Sequence, residues 1–417
     1  MVQRLEKRIR QVVKQQETKE VNHYRYQQPK KTSISKPESH SISFINAHKL
    51  RQKSMAISPK FYPSFTIFVI VSCLVTVTTG ANPKRRHITV DVTGKLGDYK
   101  RIQDAVDSIP SGNSDPVFIR VEPGTYREKV VVPANKQFIT LSGRKANVTV
   151  ITWGDSGDIH HSATVTVFAS NFVGRYITFQ NSHGEGAKAV ALRVTGDKAA
   201  FYGCRILSYQ DTLLDESGRH YYKNCYIEGG TDFIFGNAAS QFEKCHLHSI
   251  SEGDGAITAQ RRESAAQNTG FYFIMCKVTG LKSCVLGRPW GAYARVVFAY
   301  SYMSSVVLPY GWDDWGKPKR RRTVYYGEYG CFGPGANRSE RVDWSRSLTP
   351  EEAELFTSLR VIDDSVVSDY RVHYLTSMRY LVPCKNIEST TFAYPHLIHR
   401  YLIVQSSTQV SRRKIII

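Results

Sequence analysis

Four short segments repeat along the middle of the chain. AAFYGCRI ends at Ile206, HYYKNCYI at Ile227, SQFEKCHL at Leu247 and FYFIMCKV at Val278. Each carries aromatic residues, then Cys, then a polar residue and an aliphatic one. The cysteines stand at 204, 225, 245 and 276, so the steps are 21, 20 and 31 residues. FVGRYITF, ending at Phe179, is a looser copy without Cys. Every copy alternates polar and apolar positions as a strand does. Gly, Asp, Asn and Ser, the turn formers, fill the gaps. No helical pattern of roughly 10–15 residues separates the copies, which argues against βαβ units. A period of about 21 residues with short strands and no helices implies an all-β fold, a right-handed single-stranded parallel β-helix with one coil per repeat. The 31-residue step is then a coil carrying a loop insertion.

A column of cysteines has two readings. Cys packs well as a small buried group. Cys204 and Cys225, on neighbouring coils, are also near enough for a disulfide, since stacked strands lie roughly 4.8 Å apart. None of the eight cysteines forms a C-x-x-C pair, so a metal knuckle or redox motif is not expected.

Two polar motifs ride on the ladder: SYQDTLLD at 208–215 and GGTDFIFGN at 229–237. Their aspartates, Asp211 and Asp232, are 21 residues apart, one coil of this ladder. An isolated Asp in such a loop is ordinarily a turn residue. Registration by one coil instead puts both carboxylates on the same face, a strand spacing apart. Like charges that close perturb each other, so one is expected to hold a proton near neutral pH. One carboxylate then serves as nucleophile or base and its neighbour as acid. VLGRPWGAY at 285–293 adds Arg288, a permanent cation able to grip a carboxylate bidentately, and Trp290, a flat face for a sugar ring. On its own this segment reads more readily as a turn around Pro289 with Trp290 in the core.

Charge narrows the partner. The chain of 417 residues has a net charge of +20. Residues 1–60 hold 14 Lys/Arg against 4 Asp/Glu, half of that excess. The remainder still carries +10, which favours a polyanionic partner. Zinc-finger spacing, a Walker-type loop and a basic helix with base-reading side chains are all missing, so nucleic acid is set aside in favour of an acidic polysaccharide.

The N-terminal part reads as an address. SFTIFVIVSCLVTVTT at 64–79 is uncharged and shorter than the roughly 20 apolar residues of a membrane span. It suits the apolar core of a signal peptide, with small residues following at Thr78–Ala81. Counting from Met55 gives a well-proportioned signal peptide over 55–80, cleaved after Gly80. The basic, polar residues 1–54 are expected to be disordered and to come from a mistaken upstream start, the alternative being a basic cytoplasmic tail on a signal anchor. Sequons at Asn147-Val-Thr and Asn337-Arg-Ser fit a secreted glycoprotein.

Taken together, GTYREKV (124–130), KAVALRV (188–194), YQDTLLD, TDFIFGN, LGRPWGAY, GWDDWG (311–316) and VYYGEYGCFGPGAN (324–337) resemble, in order, the plant pectin methylesterases of the group without an inhibitor-like pro-region. The resemblance covers about residues 88–362, within an expected catalytic domain at 81–362. It implies a secreted enzyme of the cell wall (apoplast) that removes methyl groups from the C6 carboxyl of homogalacturonan, with neither a metal nor an organic cofactor. By motif, Asp232 is the expected nucleophile and Asp211 the general acid, then base. Arg288 keeps Asp232 ionised, Gln210 helps form the anion hole, and Trp290 and Phe235 line the sugar subsite. A proteinaceous pectinesterase inhibitor is the implied protein partner, and a monomer is expected because a β-helix buries its own core.

Three departures stand out. The family's Q-A-V-A-L-R here begins with Lys188, 22 residues before Gln210 and therefore one coil below it. Lys188 can donate to an oxyanion, or can pair with Asp211 or Asp232 and depress a pKa the reaction needs higher. It therefore feeds an alternative of a different class, a catalytically weak pectin-binding wall protein. The aromatic residue that commonly follows Q-D-T-L is Leu214, which alters a subsite. After SLTPEEAELF (347–356), a short helix capped by Ser347 or Thr349, residues 363–417 match nothing in the family and are expected to reflect a frameshift or retained intron. A polygalacturonase or pectate lyase would use the same scaffold, but neither the N-T-D, G-H-G and R-I-K set nor a calcium-binding Asp cluster is present.

Overall fold

Strands in this chain are short because a coil has three corners, and each corner restarts the hydrogen-bond ladder. The computed structural model describes residues 86–362. The expected extension at 1–54, signal segment at 55–80 and tail at 363–417, with Cys73 and Cys384, lie outside the described residues. Successive strands fall in rotation into three sheets. The first has 11 strands, from Arg86–Val90 to Arg346–Ser347. The second has 8, from Gly124–Arg127 to Tyr302–Met303, and the third has 7, from Val130–Val132 to Cys284–Gly287. One coil runs Ala199–Tyr202, Arg205–Leu207, Leu213–Asp215. The next lays Arg219–Lys223, Tyr226–Gly229 and Ile234–Gly236 on those three in parallel register. This is the parallel β-helix expected from the period, wound in the right-handed sense that parallel crossovers follow. The 31-residue step is a coil whose third-sheet strand, Gly255–Gln260, is followed by an inserted loop at 261–269.

Each repeated segment differs from expectation in one respect. It is two strands meeting at a corner, where a single strand was expected. The residue before each Cys takes a left-handed backbone: Gly203 (φ 60°), Asn224 (φ 53°), Lys244 (φ 54°) and Met275 (φ 54°). The Cys that follows turns inward. Cys204, Cys225, Cys245 and Cys276 are buried free thiols, so the Cys204–Cys225 disulfide reading is corrected. Parallel stacking holds neighbouring strands roughly 4.8 Å apart, whereas a disulfide needs its Cβ atoms about 3.8 Å apart. Each thiol instead donates weakly to backbone: Cys225 Sγ reaches the carbonyls of Lys223 and Phe201 at 3.5 Å each, and Cys245 that of Tyr222 at 3.4 Å. In the next coil Ser301 does the same, its hydroxyl 3.0 Å from the Ala299 carbonyl.

The interior is stacked in the same register. Phe201, Tyr222, Phe242, Phe273 and Phe298 form a column with ring centroids 5.0, 4.6, 4.6 and 4.5 Å apart and nearly parallel planes. Each such ring buries a large apolar area, and in-register stacking adds a smaller directional gain. Two charged devices fasten the ends. Glu128 of GTYREKV accepts the Ile102 and Gln103 amides at the start of the helix Ile102–Asp107. Buried Glu328 of the YYGEY strand binds Arg338 and Arg341 and accepts from the Trp312 indole at 3.2 Å. Arg341 also holds the carbonyls of Leu308 and Pro309, which fixes the loop entering GWDDWG. The helix Pro350–Thr357 has a capping box of Thr349 and Glu352, so Thr349 rather than Ser347 is the cap. Asn147 and Asn337 of the sequons are both exposed.

Candidate active site

The corner between the second and third sheets carries both aspartates. Lys188, Gln210 and Thr231 stack there as successive parallel bridges, one per coil. Asp211 and Asp232 follow Gln210 and Thr231 directly, and the Asp211 amide donates to the Thr231 carbonyl at 3.3 Å. Both aspartates have left-handed backbones, φ 62° and 46°, a conformation Asp tolerates better than most residues and one that recurs at functional sites. Glycine is required at two close approaches of neighbouring segments. A Cβ on Gly229 would sit 2.3 Å from the Phe233 Cβ, and one on Gly287, just before Arg288, would sit 2.0 Å from the Thr258 hydroxyl.

The outward face of the third sheet forms the floor beside them. Leu213 and Ile234 point into the core, so their neighbours Leu214 and Phe235 point outward and pair across the coils. Leu214, Phe235, Ala163, Val190 and Ala259 make an apolar patch, with Trp290 and Trp315 packed at its margin. Phe235 and Trp290 lie 5.8 Å apart at 43°, and the Arg261 guanidinium stands 4.6 Å from the Trp290 ring. Leu214, the departure from the family motif, is a buried member of this patch.

Arg288 crosses from the 285–293 motif to Asp232. Its Nε donates to Oδ1 at 2.7 Å and its Nη2 to Oδ2 at 2.5 Å, a fork matched to both carboxylate oxygens. The guanidinium lies 4.2 Å from the Trp315 ring, so the cation is held between carboxylate and indole. Asp211 and Asp232 are both 6% exposed. Burial pushes the Asp232 carboxyl above the ordinary range, while the Arg288 hydrogen bonds pull it down. Burial, and secondarily the Asp232 charge, push Asp211 up to about 7, with Lys188 and Arg288 opposing weakly. The geometry decides which group carries the charge. A permanent cation grips Asp232 through two bonds, and among the described residues no cation bonds Asp211. The fork favours the charged form of Asp232, and burial favours the protonated form of Asp211.

That asymmetry affects stability. A carboxyl whose folded pKa is raised binds its proton more tightly folded than unfolded, so stability falls as pH rises from about 4 to about 7. Asp211→Asn keeps the neutral shape and removes the burden. The variant is expected to be more stable than the parent at pH 8 by roughly 2–4 kcal/mol, and no more stable at pH 4. Urea midpoints at the two pH values test this, and an equal difference at both would contradict it.

Every residue expected at the site is brought to it. Asp211, Asp232 and Arg288 form its centre, and Gln210 sits half-buried beside Asp211 with its carboxamide unbonded among the described residues. Lys188 is exposed one coil below Gln210, close enough to act electrostatically on both aspartates. Buried Phe235 and partly buried Trp290 pack against each other in the apolar patch beside the aspartates. Trp315, Arg261 and Asp313 were missed. Trp315 backs Arg288, and Asp313 accepts the Trp315 amide at 2.6 Å and adds negative charge near Asp232. The doubled Asp before Trp315 in GWDDWG was the available signal, since Asp two residues before a backbone N–H marks a tight turn.

Comparison with known proteins agrees with this geometry. The Pectinesterase family model matches residues 87–365. The Arabidopsis thaliana protein named "Putative pectinesterase 11" is 59% identical over 273 residues, covering 65% of this chain and 77% of its own length. Pectinesterase 31 of the same plant is 45% identical over 296 residues, covering 67% of this chain and 92% of its own length. Among solved structures, a pectin methylesterase from carrot superposes with a TM-score of 0.65 at 34% identity, covering 74% of this chain and 99% of its own. By its coils, its paired aspartates and these relatives, the chain belongs to the pectinesterase family.

Proposed function

We propose that this chain hydrolyses the C6 methyl esters of homogalacturonan in the plant cell wall through an acyl-enzyme on Asp232. The observation that carries the reading is the unequal pair. Two buried aspartates stand one coil apart, one gripped by Arg288 and the other pushed by burial up to about 7, beside an apolar patch that carries Phe235, Trp290 and Trp315. An Asp232 oxygen attacks the ester carbonyl carbon. The Gln210 amide donates to the developing oxyanion, a contribution on the order of 10²–10³ in rate for such a donor. Asp211 gives its proton to the departing methoxyl oxygen, and methanol leaves. The ionised Asp211 then takes a proton from water as the hydroxyl adds to the acyl carbon. Asp232 departs as carboxylate, and the new galacturonic acid loses its proton to solvent. Trp290 and Phe235 form the sugar subsite. The chain is a monomer that acts outside the cytosol, and a proteinaceous pectinesterase inhibitor is its expected protein partner.

The test is methanol release from highly methyl-esterified pectin, matched against carboxylate formed. Equimolar release supports the reading. A folded chain that binds pectin and releases none would favour a pectin-binding wall protein.

Lys188 then tunes the site rather than disabling it. It is exposed and makes no hydrogen bond to either aspartate through its side chain, yet its charge lowers both pKa values. Lys188→Gln is expected to move the alkaline limb of the kcat/KM profile upward by a few tenths of a pH unit, as Asp211 keeps its proton longer, with kcat changed less than about threefold. A hundredfold gain in the variant would show that Lys188 is disabling.

A further inference from the structure

The segment from Lys317 to Arg322 reads KPKRRR, five cations in six residues. A run of like charge is usually a solvated face, and it disfavours its own folding. Here it is pinned to the peptide from Pro289 to Ala292. Arg320 Nη1 donates to the carbonyls of Pro289 and Trp290, the latter at 3.0 Å. The Thr323 hydroxyl bonds the Ala292 carbonyl. Arg321 pairs with Asp314 at 2.6 Å, and the Lys317 ammonium stands 5.7 Å from the Trp315 ring. The turn Pro318–Arg322 is therefore fixed to the peptide that carries Arg288 and Trp290. Two of the five cations, Arg320 and Arg321, are used to anchor it. Lys319 and Arg322 are exposed and make no ion pair with any described residue. Lys317 is exposed at the edge of Trp315, which in turn backs Arg288.

This places exposed positive charge on a turn anchored to the peptide of Arg288 and Trp290, beside a site whose proposed reaction turns neutral esters into carboxylates. We propose that Lys317, Lys319 and Arg322 hold free carboxylates of already de-esterified galacturonate residues, so that the chain binds partly de-esterified polymer in preference to fully esterified polymer. The proposal rests on the pectinesterase reading and names the substrate form that its site selects. The cations lie outside the reacting centre, so their contribution is to KM and depends on ionic strength.

The test uses the full chain and the double variant Lys319→Glu/Arg322→Glu, which touches neither aspartate nor Arg288. Methanol release is measured on fully methyl-esterified oligogalacturonate and on half de-esterified homogalacturonan, at low and at physiological ionic strength. The parent is expected to show the lower KM on the half de-esterified polymer, with the advantage shrinking as salt rises. In the variant that KM should increase roughly three- to tenfold, the size of a few solvent-screened ion contacts, with kcat and the KM for the esterified oligomer unchanged. An equal change on both substrates, or no change on either, overturns the proposal. Retention on immobilised polygalacturonate separates it from the reading beneath it, because retention needs no turnover. A parent that is retained and releases no methanol, with a variant that is not retained, would keep the carboxylate site and sink the esterase. An active parent whose retention matches the variant's would do the reverse.

Discussion

Asp232→Ala is expected to lower methanol release by roughly 10⁴-fold or more, the scale on which losing a covalent nucleophile acts. Asp232 stands at a corner with a left-handed backbone, φ 46°, preceded by Gly229 and Gly230. The carboxylate is also the group to which Arg288 is bonded at 2.7 and 2.5 Å. Alanine therefore removes the attacking oxygen and leaves a guanidinium without its anion. The second effect is a stability change, and Asp232→Asn separates the two. Asparagine preserves size and one acceptor for Arg288, yet its carboxamide is a poor nucleophile, so activity should vanish in both variants while the Asn form stays closer to the parent in stability. Asp211→Ala should lose less, about 10²–10⁴-fold, because general acid–base help is what it removes. Unchanged methanol release in Asp232→Asn, or a larger loss at Asp211 than at Asp232, would reverse the two assignments.

The parts of this molecule legible in its sequence are those that repeat. A 21-residue period needs only counting, and the aspartates fall on it, so the coil and the placing of Asp211 and Asp232 on neighbouring coils were readable together. What hid was whatever a coil does at its corners. The segments around Cys204, Cys225, Cys245 and Cys276 alternate smoothly, yet a left-handed residue breaks each in two, and Lys244 and Met275 give no sign of it because neither is a habitual left-handed former. The thiols looked like a bridge between coils because spacing fixes Cα positions and leaves the Cβ separation unspecified. Trp315 and Arg261 were missed for another reason. Both lie on loops between coils, 83 and 29 residues from Asp232 in the chain, and only the closed stack brings them to it. Arg288 is as distant in its own way, and it was found through its motif rather than through periodicity. Glu328 shows the converse, a motif carboxylate that is structural, buried among Arg338, Arg341 and Trp312.

Replacing Arg288 by alanine should have the second-largest effect, and its signature is a displaced pH profile as well as a slower rate. In the parent, the guanidinium is the main force pulling the Asp232 pKa down against burial. Without it, burial acts unopposed at close range and the carboxyl holds its proton to higher pH. Attack needs the carboxylate, so the acid limb of kcat/KM must move upward, and the loss must be greater at pH 6 than at pH 8. At neutral pH a decrease of about 10²–10³ is expected. Breaking a buried pair by removing one partner also destabilises by roughly 3–5 kcal/mol, partly relieved here because Arg288 is 27% exposed in its side chain. Arg288→Lys is the informative companion. Lysine restores a positive charge without the planar fork that meets both oxygens or the flat face that lies on Trp315. The acid limb should therefore return most of the way to the parent position while kcat stays well below it. A purely structural Arg288 would give a different pattern, with both variants losing folded protein and neither moving the acid limb. That outcome would detach Arg288 from the ionisation of Asp232 and leave Lys188 as the remaining cation that acts on both aspartates.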